Sequence, residues 1–154
     1  MRRVAIAIAT GLGVGFAPVA PATVASFVVA LLLVPLVGHV STLAWGLAIL
    51  ALLPIAVWSS GEAEKTLGTD AKPIVIDEVV GMLITLAWIP VTPTGALVGF
   101  LIFRLFDVIK PWPSRRFESL HGGLGIMSDD AMAAVYGNLL LRGLVALAPA
   151  GWLV

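Results

Sequence analysis

The stretch Leu43-Ala44-Trp45-Gly46-Leu47-Ala48-Ile49-Leu50-Ala51-Leu52-Leu53-Pro54-Ile55-Ala56-Val57-Trp58 decides how this chain folds. It carries no charge, and it runs straight into Ser59–Glu78, which is crowded with Glu62, Glu64, Lys65, Asp70, Lys72, Asp77 and Glu78. A long uncharged run in lipid has to satisfy its backbone internally, which selects a helix. Working outward, four more apolar stretches follow the same pattern: Val24–Val37, Val79–Ile89, Ala96–Phe103 and Ala131–Val154. The expected fold is therefore all-α, an integral membrane bundle of about five hydrophobic helices with polar connecting segments on one face. Several of the stretches fall short of the ~20 residues of a perpendicular span, so some must borrow flanking residues or stop partway.

Composition supports lipid as the second solvent. The chain has 154 residues, enough for one domain spanning 1–154, with 60% apolar and 12% charged residues and a mean hydropathy of +1.07. Soluble domains lie near ~45–50% and ~25%. Net charge is zero, with nine basic and nine acidic residues, so bulk electrostatics gives no reason to expect nucleic acid as a partner. The absence of cysteine excludes disulfides, thiolate ligands and cysteine nucleophiles. The start, Met1-Arg2-Arg3 followed by apolar residues, imitates a signal peptide, but Gly11, Gly13, Gly15 and Pro18 break it, so it is read as part of the fold.

The charges are distributed unevenly. If the apolar stretches thread back and forth, the turns Gly38–Thr42 and Pro90–Gly95 lie on one side without charge. Every Asp and Glu, and every Lys and Arg except Arg142, lies on the other. Basic residues beside membrane spans favour the cytoplasm. That side is also rich in acids, which a topology signal alone does not require.

Four clusters on that side carry candidate chemistry. In Gly15–Ser26, two prolines precede a helix start that Thr23 or Ser26 can cap, and a helix N-terminus attracts anions. In Ile74–Gly81, Asp77 and Glu78 sit at the start of an apolar stretch. Acids suit a helix N-terminus, yet two carboxylates against hydrocarbon need neutralising, which a divalent cation supplies; magnesium takes hard oxygen ligands. In Phe103–Pro113, Arg104, Asp107 and Lys110 share a helix face at spacing three, and Pro111 ends the helix. In His121–Asp130, three glycines lead to Ser128 or Asp129 as a helix start, followed by Asp130. Each cluster has a plain structural explanation as a cap, an ion pair or a turn. Together they supply five carboxylates beside Arg104, Lys110, Arg115 and Arg116, the inventory of metal-assisted phosphoryl chemistry.

From about Gly11 to Gly137 the chain resembles the phosphatidylglycerophosphatase A family of bacterial membrane lipid phosphatases. The resemblance rests on Ala20–Ser26, Ile76–Gly81, Phe103–Pro113 and His121–Asp130, in the family's order and spacing. It implies an all-helical fold, Mg2+ dependence, a multi-pass place in the bacterial inner membrane with a cytoplasmic active site, and phosphatidylglycerophosphate as lipid substrate. Hydrolysis of its terminal phosphate gives phosphatidylglycerol in phospholipid biosynthesis. The chain departs from the family's Pro-Gly-Thr-x-Gly-Ser with Ala22 and Ala25, and, after Asp-Asp, has Ala133-Ala134 where the family has Ala-Gly. Inside helices alanine is favoured over glycine.

With no cysteine, no Asp-x-Asp motif and only His39 and His121, the usual phosphatase nucleophiles are missing, which leaves metal-activated water. Asp77, Glu78, Asp129 and Asp130 are the expected metal ligands, and Asp107 a ligand or base. Arg104, Lys110 and Arg115 are expected to bind phosphate, with Thr23 and Ser26 hydrogen-bonding it, and His121 is a candidate acid for the leaving alkoxide. Two other readings stay open. A small cation or phosphate transporter would place its acids near the midplane, and a phosphatase for another lipid monoester would share this site. Acyl-chain preference and oligomeric state are not readable.

Overall fold

The computed structural model describes residues 1–69, 71–117 and 122–154. All regular structure among them is helical: α1 (Arg2–Ala9), a 3-10 segment (Gly11–Phe16), α2 (Pro21–Leu33), α3 (Thr42–Leu67), α4 (Ile76–Thr85), α5 (Pro93–Ile109), α6 (Ser114–Phe117) and α7 (Gly123–Leu147). Each of the five apolar stretches carries a helix, α2, α3, α4, α5 and α7. Only α3 and α7, with 26 and 25 residues, are long and apolar enough to cross a membrane unaided. At ~1.5 Å per residue α4 reaches only ~15 Å, half the ~30 Å hydrocarbon thickness. The five expected hydrophobic helices are thus not five full spans. α1 and α6 are additional, and α1 turns part of the signal-like start into a short helix on α3.

Local chemistry sets the ends. Ser41 Oγ accepts from Ala44 N at 3.2 Å and starts α3, and Thr92 Oγ1 accepts from Gly95 N at 3.1 Å and starts α5 with Pro93 in its first turn. α5 stops at Ile109, where Lys110 turns left-handed (φ 46°) ahead of Pro111, as the proline predicts. α2 starts at Pro21 after Ala20 in a left-handed conformation, with no side-chain cap. The expectation that Thr23 or Ser26 caps it is therefore corrected: proline prefers the first helical position and moves the start earlier. α7 starts at Gly123, not at Ser128 or Asp129. Of the glycines there, only Gly122 needs a positive φ, 70°, while Gly123 lies so close to α3 that a Cβ on it would stand 1.9 Å from Val57 O.

The alternating path is visible at both ends. At one end Gly38 meets Pro90, the Trp88 indole donates to Thr42 O at 3.1 Å, and Thr92 N donates to Leu153 O at 2.9 Å. Thus the two charge-free turns and the C-terminal segment lie together. At the other end the starts of α2, α4 and α7 meet the ends of α3 and α5 around one cleft.

α4 and α7 run side by side in the same direction. Glu78 to Thr85 is ~10.5 Å along α4, and Asp130 to Asn138 is ~12 Å along α7. α4 ends inside apolar surroundings, where free carbonyls are costly. Asn138 Nδ2 donates to the carbonyls of Ile84 (3.2 Å), Thr85 (3.0 Å) and Ala87 (3.0 Å). Arg142 Nη2 donates to Ala87 O at 3.0 Å, and its Nε donates to Asn138 Oδ1 at 2.9 Å. Arg142, the one cation set apart in the threading, thus serves the broken end of α4.

The interior is built from Met82, Leu86, Phe100, Phe103 and Leu141 toward the charge-free end, and from Ala9, Ala56, Ile76, Val80 and Met127 toward the cleft. Small residues bring helices close: a Cβ on Gly81 would stand 2.4 Å from the Phe103 ring, a membrane-style contact. The outside is apolar too. Leu43, Leu47 and Leu50 of α3, Leu97, Leu101 and Leu105 of α5, and Leu139 and Leu147 of α7 face outward. Only 22% and 28% of the most apolar windows of α3 and α7 are buried, unlike core helices of a soluble domain.

Candidate active site

The cleft encloses about 1020 Å³. Five helices contribute their cleft-side ends: Ala20–Ala22 from the start of α2, Glu64 from the end of α3, Asp77 and Glu78 from the first turn of α4, Arg104, Asp107 and Lys110 from the end of α5, and Gly122, Gly125, Asp129 and Asp130 from the start of α7. The loop after α3 adds Thr69, Ala71, Lys72 and Ile74. Charges far apart in sequence meet because every second turn of the threading returns to this end.

Asp77, Glu78, Arg104, Asp107, Lys110, Asp129 and Asp130, all expected from the sequence, converge here. Thr23 is not among the lining residues; that segment contributes Ala20, Pro21 and Ala22 instead. Ser26 is fully buried beneath the cleft, and its hydroxyl donates to Glu78 Oε2 at 2.7 Å, with Ala22 O 2.8 Å away as its other acceptor. It touches a carboxylate rather than facing the open cleft. His121 lies outside the described residues, and of Arg115 only the backbone, in α6, is described. Glu64 and Lys72 line the cleft without having been singled out from sequence. Their signal was position alone, in the charged segment Ser59–Glu78 between apolar stretches.

Three ion pairs organise the floor. Arg104 Nη1 lies 2.5 Å from Glu78 Oε1 and 2.9 Å from Asp107 Oδ2, tying α5 to α4. Lys110 Nζ lies 2.5 Å from Asp129 Oδ2, tying the end of α5 to α7, and the Ser114 hydroxyl donates to Asp129 O at 3.3 Å. Asp77 Oδ1 accepts from Glu78 N at 2.9 Å, and Asp129 Oδ1 accepts from Asp130 N at 3.1 Å. Both oxygens of Glu78 are therefore engaged, as are both of Asp129. Asp107 and Asp130 come within hydrogen-bonding reach of each other, while Asp130 Oδ2 is buried with no partner.

Acids outnumber bases around the cleft. Among the described lining residues six carboxylates, those of Glu64, Asp77, Glu78, Asp107, Asp129 and Asp130, face three cations, Lys72, Arg104 and Lys110. On α4, which is too short to cross a membrane, burial and then the neighbouring Glu78 push Asp77 well above the usual carboxylate range. Burial also raises Glu78, with Arg104 and Ser26 opposing it. Among the described residues no three acids or histidines converge into a ready metal cage. The open oxygens of Asp77 and Asp130 and the Asp107–Asp130 contact instead suit an ion that keeps several waters, as magnesium does.

The family model for phosphatidylglycerophosphatase A matches residues 7–145. The chain belongs to this family. It is 37% identical over 134 residues to the phosphatidylglycerophosphatase A of Escherichia coli, covering 83% of this chain and 76% of that one. It is 46% identical over 74 residues to the phosphatidylglycerophosphatase A of Haemophilus influenzae, covering 47% and 45%. A protein of Bacteroides thetaiotaomicron provisionally named a phosphatidylinositol-3-phosphatase is 33% identical over 143 residues, covering 88% and 90%. No solved structure matches the chain. The three alanines that stand where the resemblance implies glycine all fall inside helices, Ala22 and Ala25 in α2 and Ala134 in α7, and Ala25 and Ala134 are buried.

Proposed function

We propose that this protein hydrolyses the terminal phosphate of phosphatidylglycerophosphate, giving phosphatidylglycerol for phospholipid synthesis, and that the reaction depends on Mg2+. The observation that carries the site assignment is the buried, unpartnered Asp130 Oδ2, among carboxylates that outnumber the cations beside them. Family membership supplies the substrate class.

Asp77 and Asp130 have the open oxygens that would hold the metal. Glu78 and Asp129 were expected as ligands too; with their oxygens engaged, their part is to fix Arg104 and Lys110. When bound, the metal supplies charge neutralisation and a water acidic enough to attack phosphorus. Arg104 and Lys110 bind the non-bridging phosphate oxygens, a guanidinium doing so with two donors, and hold them as negative charge shifts to the leaving oxygen. Asp107 takes the proton of the attacking water. The water oxygen bonds to phosphorus, the bond from phosphorus to the glycerol oxygen breaks, and that oxygen leaves with a proton from His121 or solvent.

We also propose a multi-pass place in the inner membrane with the cleft on the cytoplasmic face. Lys65, near the end of α3, and Lys72, which lines the cleft, lie toward the cleft end, as positive-inside topology favours. Exposed Trp58 and Trp112 lie toward that end and exposed Trp88 and Trp152 toward the other, as in interfacial aromatic belts. His39→Cys, in a chain without cysteine, is expected to label from outside the cell; labelling from the cytoplasm alone overturns this orientation.

The activity test is phosphate release from phosphatidylglycerophosphate by purified protein in detergent, with and without Mg2+. Release that a chelator leaves unchanged removes the metal from the reading. The name of the Bacteroides relative favours one second reading, a monoester on a different phosphatidyl alcohol. Turnover of phosphatidylinositol 3-phosphate in preference to phosphatidylglycerophosphate establishes it.

A further inference from the structure

Lys72 stands apart from the other cations of the cleft. Arg104 is committed to Glu78 and Asp107, and Lys110 to Asp129. Lys72 lines the same cleft, is exposed, and forms no hydrogen bond or ion pair among the described residues. Its backbone is nevertheless held firmly. A Cβ on Gly15 would stand 2.0 Å from Pro73 O, so the chain after Lys72 is pressed against the 3-10 segment. Ile74 N donates to Ala71 O at 2.8 Å, and Val75 N donates to Ala9 O at 2.8 Å. A fixed rim thus presents an uncommitted ammonium to the cleft.

The cleft, about 1020 Å³, is at the upper end of the ~300–1,000 Å³ that holds a whole drug-sized ligand. It has room for a headgroup beyond the scissile phosphate. The names of the relatives point to one chemical pattern. Phosphatidylglycerophosphate and phosphatidylinositol 3-phosphate each carry a phosphate monoester on an alcohol that a phosphodiester joins to the lipid. The diester has a single negative charge and no part in bond breaking. A compact point charge on a flexible stem suits it, whereas the dianionic monoester suits the planar fork of arginine.

We propose that Lys72 binds the phosphodiester of a two-phosphate lipid and so selects phosphorylated phosphatidyl alcohols over simple phosphate monoesters. This rests on the hydrolase reading above. Lys72 is a specificity residue: it contributes to binding before and after the reaction equally, because the diester is unchanged in the product. Its loss should therefore raise KM and leave kcat alone.

The test uses the full chain in detergent, with short-chain phosphatidylglycerophosphate as substrate and two inhibitors. Short-chain phosphatidylglycerol keeps the diester and lacks the monoester, and inorganic phosphate is the converse. Lys72→Ala is expected to raise KM about tenfold and the inhibition constant of phosphatidylglycerol about tenfold, the scale of one charge-assisted hydrogen bond. It should leave kcat and the inhibition constant of inorganic phosphate within about twofold, and Lys72→Arg should restore most of the loss. An unchanged phosphatidylglycerol constant, an equal rise in both constants, or a fall in kcat with KM unmoved overturns the assignment. Absence of turnover by the wild-type protein is a different failure, seen before any variant is compared; it overturns the hydrolase reading, and the Lys72 assignment falls with it.

Discussion

Arg104 Nη1 sits 2.5 Å from Glu78 Oε1, and this pair joins α5 to a helix too short to cross the bilayer. Both side chains are largely buried, so removing one partner strands the other's charge, at a cost of ~3–5 kcal/mol. Arg104→Ala is expected to lose folded protein, seen as a lower melting temperature and a broadened gel-filtration peak. Arg104→Lys keeps the charge but not the fork; it should remain folded and lose about 10-fold or more in phosphate release. A lysine variant with wild-type turnover means that Arg104 only pairs with its neighbours.

Ser26 separates two roles that the sequence could not. Its hydroxyl donates to Glu78 Oε2 at 2.7 Å from a fully buried position. Ser26→Ala is expected to cost ~1–3 kcal/mol of stability by leaving a carboxylate oxygen unsatisfied, measured by thermal unfolding. KM should not move. A raised KM with unaltered stability restores the direct phosphate contact expected at first.

The site was largely legible in the sequence because charge is conspicuous on an apolar chain. Asp77, Glu78, Arg104, Asp107, Lys110, Asp129 and Asp130 had to lie together once the threading was drawn, since burial in lipid leaves such groups few places to go. Helix starts were harder. Glycine is a poor helix former, which argued for a loop before Ser128, yet Gly123 opens α7 because no side chain fits against Val57. The shortness of α4 was hidden for a related reason. Nothing within Val79–Ile89 ends the helix; its last carbonyls are taken by Asn138, 54 residues beyond Ile84. Uniform hydrophobicity locates helices in lipid but not their ends, which distant contacts decide.

That clamp is testable. Asn138→Leu keeps the volume and removes the donor to three carbonyls. Ile84 O keeps its bond from Ala87 N and Ala87 O keeps Arg142, so the loss falls on Thr85 O, at ~1–3 kcal/mol for a carbonyl left unsatisfied. A marked drop in melting temperature is expected, together with weaker Mg2+ binding, because α4 carries Asp77. A leucine variant as stable as wild type shows that the end of α4 needs no cap.

The metal can be tested without turnover. A ligand that binds only the folded state stabilises it by ~2.7 kcal/mol at 100 times its Kd, so Mg2+ should raise the melting temperature of the wild-type protein. Asp130→Asn keeps size and removes the charge that a hard cation requires. It should abolish that rise and cut phosphate release by ~100-fold, since a metal contributes several kcal/mol to the transition state. Without metal the variant should melt no lower than wild type, because an amide is easier to bury than an unpartnered carboxylate. The pH dependence follows from Asp77, held above its usual range chiefly by burial. Raising an acid's folded pKa means that the folded protein keeps a proton the unfolded chain releases. Metal-free stability therefore falls as pH rises from the ordinary Asp value toward the raised one. Mg2+ needs the ionised carboxylate, so its stabilising effect should grow over that same window. An effect of Mg2+ that shrinks as pH rises there, or that persists in Asp130→Asn, removes these carboxylates as the metal's ligands.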